Sequence, residues 1–372
     1  MVITITAIQN DKIRSTLLGV RSRLEHETCH DRFEDTGLVV EWVGKYRHGG
    51  FHLVHLHDVF NQKYEAIAKL AYGSSATAWL AKDHLLQRQV ALKIKKAEDS
   101  KDNKELSFLL YISHSTLDHP GRKQIIELLN YFEHVGPNGT HLCLVLPLII
   151  SDAEIGDPFT PPRQPCYVQT VSKQVLLGLD FLHAIDIIYG GKNILLSSSS
   201  DAHSEVSLEP GEWYPVKWLE GVQAGDSVPR YLITSQRKED QLKDADYSTL
   251  TAKICDFCGA QWRQQYNHQP ELPYPFVFYF ATNEPMSPVV KWGLTDEEVD
   301  QDHWYHISRI FKTDEPAHES FLRYLKGKLP NFGSRKIQRL VSFLLLMMEQ
   351  DPWKRMPTTK LLEHPFLVEN PE

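Results

Sequence analysis

Cysteine is sparse in this chain, with five in 372 residues. An odd handful without dense spacing excludes a disulfide framework and points to a reducing compartment. Cys255 and Cys258 form one Cys-x-x-Cys, but no second pair at zinc spacing accompanies them, which argues against a metal or redox role. Long apolar runs are missing too. The longest, LCLVLPLII from Leu142 to Ile150, is far too short to span a bilayer and contains Pro147, so it reads as a buried strand. The opening MVITITAIQNDKIRS has no charged stretch followed by an apolar one, so no targeting segment is expected. Charge of one sign is only in modest excess. A net charge of −8 argues against nonspecific nucleic-acid binding and leans weakly toward basic partners. Internal repeats are absent, and the alternating histidines of His52 to Asp58 (HLVHLHD) read as packing or surface residues rather than metal ligands.

What is present fits a soluble, intracellular protein with one large domain or two lobes. Residues 1–40 are polar, with a short helix predicted around Ile13 to Leu24. From Tyr64 the pattern alternates through YEAIAKLAYG, TAWLAKD and RQVALKIKK, which predicts an antiparallel meander turning at Gly73. DNKELSFLLYIS predicts a helix with Leu106, Leu109 and Leu110 on one face. Val168 to Ile185 predicts a long amphipathic helix with Val171, Val175, Leu179 and Leu182 in register. Residues 197–250 begin with SSSSDAHSE, pass Pro210-Gly211 and a charged stretch, and read as a surface insert with little packing of its own. Strand pattern returns at Leu250 to Phe257, and helical pattern dominates from Ser334 onward. A small β-rich half followed by a larger helical half predicts a bilobal α+β protein.

The chemistry-bearing residues lie in separated segments. KLAYGSSATAWLAKD followed by VALKI places Gly73 in a hairpin turn and Lys93 on the next strand, with Glu105 on the helix that follows. LHAIDIIYGGKNILL carries Asn193 ahead of the apolar Ile194-Leu195-Leu196. AKICDFCGAQW carries Asp256 and Phe257, and EQDPWKRMPTTKLLEHPFL carries Arg355 and His364-Pro365-Phe366. Together these segments resemble a protein kinase: a glycine-rich loop with its phosphate lysine, a catalytic loop, an Asp-Phe-Gly motif and the closing helices of the large lobe. Tyr46, Gly49, Gly50, Phe51, His52 and Val54, the insert position and VPRYLITSQRKEDQLKDADYSTLTAKICDF narrow the resemblance to SR-protein kinases, with a fungal cast.

The resemblance implies a kinase-like fold with an extension at 1–40, an N-lobe at 41–148, a C-lobe at 149–368 carrying the insert 197–250, and a tail at 369–372. It implies ATP and Mg²⁺ as cofactors. Ala71, Tyr72, Gly73, Ser74, Lys93, Glu105, Leu146 and Leu148 would line the nucleotide, with Glu105 orienting Lys93, and Asn193 and Asp256 would hold the metal. Protein substrates rich in arginine and serine, a monomer without direct nucleic-acid or membrane contact, and cytoplasmic and nuclear residence follow from the same likeness. The acidic run Asp296 to Asp302 suits such a basic substrate.

Several departures accompany the likeness. Tyr189-Gly190 stands where His-x is usual, and Gly191-Lys192 leads straight into Asn193, so roughly four residues are absent, the catalytic Asp and its Lys among them. Asp186 is the nearest carboxylate, but it lies further from Asn193 than the family base does. Ala71 and Ala76 replace the outer glycines of the loop, and Pro147 replaces an acidic hinge residue. Cys258 replaces the motif glycine, where a side chain resists φ > 0. Asn283-Glu284-Pro285 is a poor match to the end of an activation segment, Asp302-His303-Trp304 a poor match to the anchoring Asp-x-Trp, and the aromatic run Pro270 to Phe280 has no counterpart. Serine/threonine phosphoryl transfer impaired by the missing Asp is the activity expected; a nucleotide-binding scaffold without transfer is the alternative.

Overall fold

The computed structural model describes residues 32–34, 40–149, 164–189, 193–198, 206, 208, 211–222, 225–236, 249–265, 317–347 and 356–368. The readings made on Ile13 to Leu24, Pro270 to Phe280, Asn283-Glu284-Pro285, Asp296 to Asp302, Asp302-His303-Trp304 and Arg355 fall outside these residues. The chain divides into two compact units. The first comprises Met1–His114, Ile126–Ala153 and His203–Glu239, and the second Ser115–Ile125, Glu154–Ala202 and Asp240–Glu372.

The first unit is built on an antiparallel sheet of strands β1 (Val59–Phe60), β2 (Tyr64–Tyr72), β3 (Ala76–Asp83), β4 (Arg88–Lys95), β5 (Asn130–Gly136) and β6 (Gly139–Pro147), in the order β1-β2-β3-β4-β6-β5. The meander expected from the alternating pattern is present. Along β4 the period of two sends Val90, Leu92 and Ile94 into a core with Phe60, Tyr64, Trp79, Cys143 and Val145. Lys93 and Lys95 therefore share the opposite face. Helix α1 (Lys104–His114) starts on Asn103, whose side-chain oxygen accepts the Leu106 amide at 2.9 Å, a favourable N-cap. Its buried stripe is Glu105, Phe108, Leu109 and Ile112 rather than Leu106, Leu109 and Leu110. The helix is rotated from the apolar reading because a buried carboxylate, Glu105, must meet the cations of β4.

The insert was expected to pack little. Instead its strands β9 (Trp213–Pro215) and β10 (Tyr231–Ile233) pair antiparallel, and 203–239 belongs to the first unit. Val228 and Leu232 join Phe33, Val40, Val43, Tyr46 and Phe51 in a second apolar cluster, with Tyr214, Val216 and Trp218 against it. Polar bonds fix the insert to the sheet. The Gln236 amide donates to the Lys69 carbonyl at 2.7 Å, and the Lys69 amide donates back to Gln236 Oε1 at 3.1 Å. Val206 and Gln89 exchange a similar pair, at 2.7 and 2.9 Å.

In the second unit, helix α2 (Pro165–Ala184) opens on a proline, which suits a first turn, and buries Val171, Val175, Leu179 and Leu182 as its periodicity predicts. Strands β8 (Asn193–Ser198) and β11 (Leu250–Cys255) pair antiparallel from Asn193 opposite Cys255 to Ser198 opposite Leu250. Gln174 of α2 clamps this pair, donating to the Leu250 carbonyl at 2.7 Å and accepting the Ala252 amide at 2.6 Å. A Cβ on Gly121 would collide with the Leu177 carbonyl, so glycine there lets the segment before the pair lie directly on α2. Short strands β7 (Ile187–Ile188) and β12 (Gln261–Trp262) pair beside it. Among the described residues the unit also carries helices α3 (Ala317–Lys328), α4 (Ser334–Met347), α5 (Thr358–Leu361) and α6 (Pro365–Val368), with Ile337, Leu340, Phe343, Leu344 and Met347 of α4 buried. Among the described residues no helix is long and apolar enough to cross a membrane.

Candidate active site

The expected site residues fall in both units. In the first, Ala71 and Tyr72 end β2 opposite Ala78 and Thr77 of β3. Gly73, Ser74 and Ser75 make the turn between them, and the Gly73 amide donates to the Ala76 carbonyl at 2.8 Å. A register irregularity between Lys69 and Ala71 bends β2 just before this turn. Leu146 lies on β6 opposite Ala91 of β4, with Leu148 just beyond the strand, and both are half-buried.

Lys93 and Glu105 form the expected ion pair, with Nζ 2.7 and 2.8 Å from the two carboxylate oxygens. Lys93 retains 14% side-chain exposure while Glu105 keeps 1%, so the ammonium is the half of the pair that reaches outward. A second cation completes the cluster. Lys95 Nζ lies 3.2 Å from Glu105 Oε2 and 3.2 Å from Ser75 Oγ, with its side chain almost wholly buried. Lys95 was missed in the sequence, although its two-residue spacing from Lys93 on a strand puts it on the same face.

In the second unit the strand pairing carries Asn193 and Asp256 to the same end, since Asn193 is opposite Cys255. The Asn193 amide nitrogen donates to Asp256 Oδ2 at 3.1 Å. Asp256 is buried and left-handed, with φ 61° and ψ 82°. A non-glycine residue held there carries strain of the sort that clusters at functional sites. The positive φ thus falls on Asp256. Cys258 is exposed in the 3₁₀ turn Phe257–Gly259 and is not among the positive-φ residues, so its replacement of glycine is tolerated without the strain anticipated.

Tyr189, at the position where His is usual, was not anticipated as a site residue. Its buried hydroxyl donates to the Cys255 carbonyl at 2.6 Å and accepts the Asn193 amide at 3.1 Å. Its ring meets Phe257 edge-on with centroids 5.5 Å apart. One phenol therefore ties together the strand ends that carry Asn193 and Asp256. Asp186 lies elsewhere. It occupies an exposed left-handed turn after α2 with φ 58°, its carboxylate 3.5 Å from Arg263 Nε and its carbonyl accepting the Arg263 amide at 2.9 Å.

No family model matches the chain. The serine/threonine-protein kinase SRPK of Physarum polycephalum is 26% identical over 405 residues, covering 89% of this chain and 92% of that protein. Human SRSF protein kinase 3 is 33% identical over 215 residues, covering 55% of this chain and 36% of that protein. A solved kinase domain superposes with a TM-score of 0.51 at 14% identity, covering 85% of this chain and 98% of its own. The chain is similar to SR-protein kinases, over most of its length to the first of these relatives and over about half of it to the second. It spans most of the length of the first relative and about a third of the second. Its fold is that of a protein kinase, with a β-rich first unit and helices in the second, and the relative it matches over most of its length is a serine/threonine protein kinase.

Proposed function

We propose that this SR-protein-kinase-type chain binds Mg-ATP and transfers its γ-phosphoryl group to serine or threonine of arginine-serine-rich proteins, slowly. The observation that carries the reading is the 3.1 Å approach of Asn193 to Asp256 at the ends of paired strands. An amide and a carboxylate are oxygen-bearing side chains of the kind Mg²⁺ takes, usually with waters and phosphate filling the remaining positions. Lys93, oriented by Glu105, supplies the cation for the phosphates. When bound, ATP with Mg²⁺ supplies the transferable phosphoryl group and neutralises its charge; the protein contributes position and electrostatics.

What limits the reaction is the proton. The stretch Tyr189-Gly190-Gly191-Lys192-Asn193 has no carboxylate, and Asp186 faces Arg263 on an exposed turn. General-base assistance is worth about 10²–10⁴-fold, so its loss slows transfer without preventing nucleotide binding. The same deficit favours a second reading, an ATP-binding scaffold without transfer. The basic substrate class follows the likeness to these kinases and suits the net charge of −8, and a monomer working in cytoplasm and nucleus without direct nucleic-acid or membrane contact is part of the same reading.

Thermal denaturation with and without millimolar Mg-ATP, followed by phosphate transfer to an arginine-serine peptide, tests both readings. A rise in melting temperature that Asp256→Ala abolishes, with slow labelling of the peptide, supports the kinase. The same rise with no labelling selects the scaffold. No rise in the folded protein removes both.

A further inference from the structure

We propose that Lys95 is a positioning residue of the nucleotide site: its ammonium ties the phosphate-facing turn, through Ser75, to the Glu105 carboxylate that orients Lys93. The affinity half of this proposal rests on the nucleotide-binding reading; the loop half does not.

The turn Gly73-Ser74-Ser75 lacks the outer glycines that usually give such a loop its reach, since Ala71 and Ala76 flank it. A stiffer loop must be held where it is useful. Ser75 is held twice. Its carbonyl accepts the Lys96 amide at 2.9 Å, and its hydroxyl accepts from Lys95 Nζ at 3.2 Å. The same Nζ reaches Glu105 Oε2 at 3.2 Å, while Lys93 holds both Glu105 oxygens. One buried carboxylate is thus shared by two ammoniums. Lys95 is itself anchored, because His141 Nδ1 donates to its carbonyl at 2.9 Å.

Burial obliges the Lys95 ammonium to find acceptors, and the two it finds are the turn hydroxyl and the Glu105 carboxylate. The chain Ser75–Lys95–Glu105–Lys93 makes the position of the loop and the orientation of the phosphate lysine depend on each other. Hydrogen bonds to charged groups are strong enough that losing one shifts a local opening equilibrium roughly tenfold or more.

Hydrogen exchange on the nucleotide-free protein tests the tether directly, with the Gly73 and Lys96 amides as reporters. Ser75→Ala, the mild change, is expected to accelerate exchange at these amides about tenfold while the melting temperature stays near that of the parent. Lys95→Met is expected to do the same and to weaken Mg-ATP binding, titrated with a fluorescent ATP analogue, by about tenfold. Val54→Ala, in the core of the same unit, controls for general loosening. Parental exchange at the turn in both Ser75→Ala and folded Lys95→Met overturns the proposal, as does equal acceleration in Val54→Ala. If Lys95→Met fails to fold, Ser75→Ala still decides. If the parent binds no nucleotide, the functional reading fails while the exchange comparison still decides the tether.

Discussion

Lys69 of β2 and Glu41 of the N-terminal segment form an ion pair with both side chains almost wholly buried. Tyr46 donates to the other Glu41 oxygen at 2.5 Å. Burial pulls the Lys69 pKa down against the attraction of Glu41, and burial together with Glu41 pushes that of Tyr46 well up. Because Gln236 bonds both backbone groups of Lys69, the segment before β1, the insert and the loop-bearing strand meet at one residue.

Glu41→Gln is expected to destabilise the protein by about 3–5 kcal/mol, since an uncompensated buried ammonium remains. Urea denaturation measures it. The double change Glu41→Leu with Lys69→Met should recover much of the loss, because a buried pair is replaceable by apolar side chains. A double variant as unstable as the single one would show that the pair is not the source of the loss.

Stability should fall as the solution is acidified from neutral. Burial, with His141, His134 and His55 nearby, lowers His52 to about 3. Burial and Arg263, opposed by Asp180, lower His183 to about 4. In the unfolded chain both titrate near 6.5. Between the folded and unfolded values the unfolded chain binds more protons, so the stability these neutral rings allow is lost as pH drops below about 6.5. Each ring adds up to about 1.4 kcal/mol per pH unit to that slope. His52→Leu should flatten denaturation-derived stability between pH 4 and 6 by about one proton; an unchanged slope would rule out His52 as a contributor.

Much of this was legible in the chain because it was local. Val90, Leu92 and Ile94 alternate on one strand, Val171, Val175, Leu179 and Leu182 recur on one helix, and Lys93, Glu105 and Asn193 fall on the strand, helix and strand start that their segments suggest, with Asp256 just after a strand. The insert was opaque for the opposite reason. Its anchors Tyr214, Val228, Leu232 and Gln236 are scattered among polar residues, and the surface they meet comes from Phe33 to Phe51 and from β2, far away in sequence. The rotated face of α1 followed from an ion pair that periodicity does not count. The strain on Asp256 rather than Cys258 is a backbone property that residue identity alone does not assign.

Tyr189→Phe removes a hydroxyl that serves Cys255 and Asn193 at once. The buried groups it leaves behind cost about 1–3 kcal/mol. Since those groups border the two candidate metal ligands, the Mg²⁺ concentration needed for half-maximal ATP stabilisation should rise by more than the melting temperature alone explains. A lower melting temperature with an unchanged Mg²⁺ midpoint would assign Tyr189 to packing against Phe257 only.

The proposed proton deficit can be tested by restoring what the loop lacks. Inserting Asp-Ile-Lys-Pro between Gly190 and Gly191 adds a carboxylate to accept the hydroxyl proton and a lysine to stabilise the transferring phosphoryl. It also lengthens the path from Tyr189 to Asn193, which the Tyr189 hydroxyl now bridges directly. Phosphate transfer to an arginine-serine peptide should then rise by at least about 10²-fold, the lower end of general-base assistance. Asp186→Asn in the parent chain should leave the residual rate within about twofold, because positioning a base matters more than its presence and Asp186 is oriented toward Arg263. Ordinary kinase turnover by the parent, on the order of 1–100 s⁻¹ and abolished by Asp186→Asn, would instead make Asp186 the base and require its turn to rearrange when substrate binds.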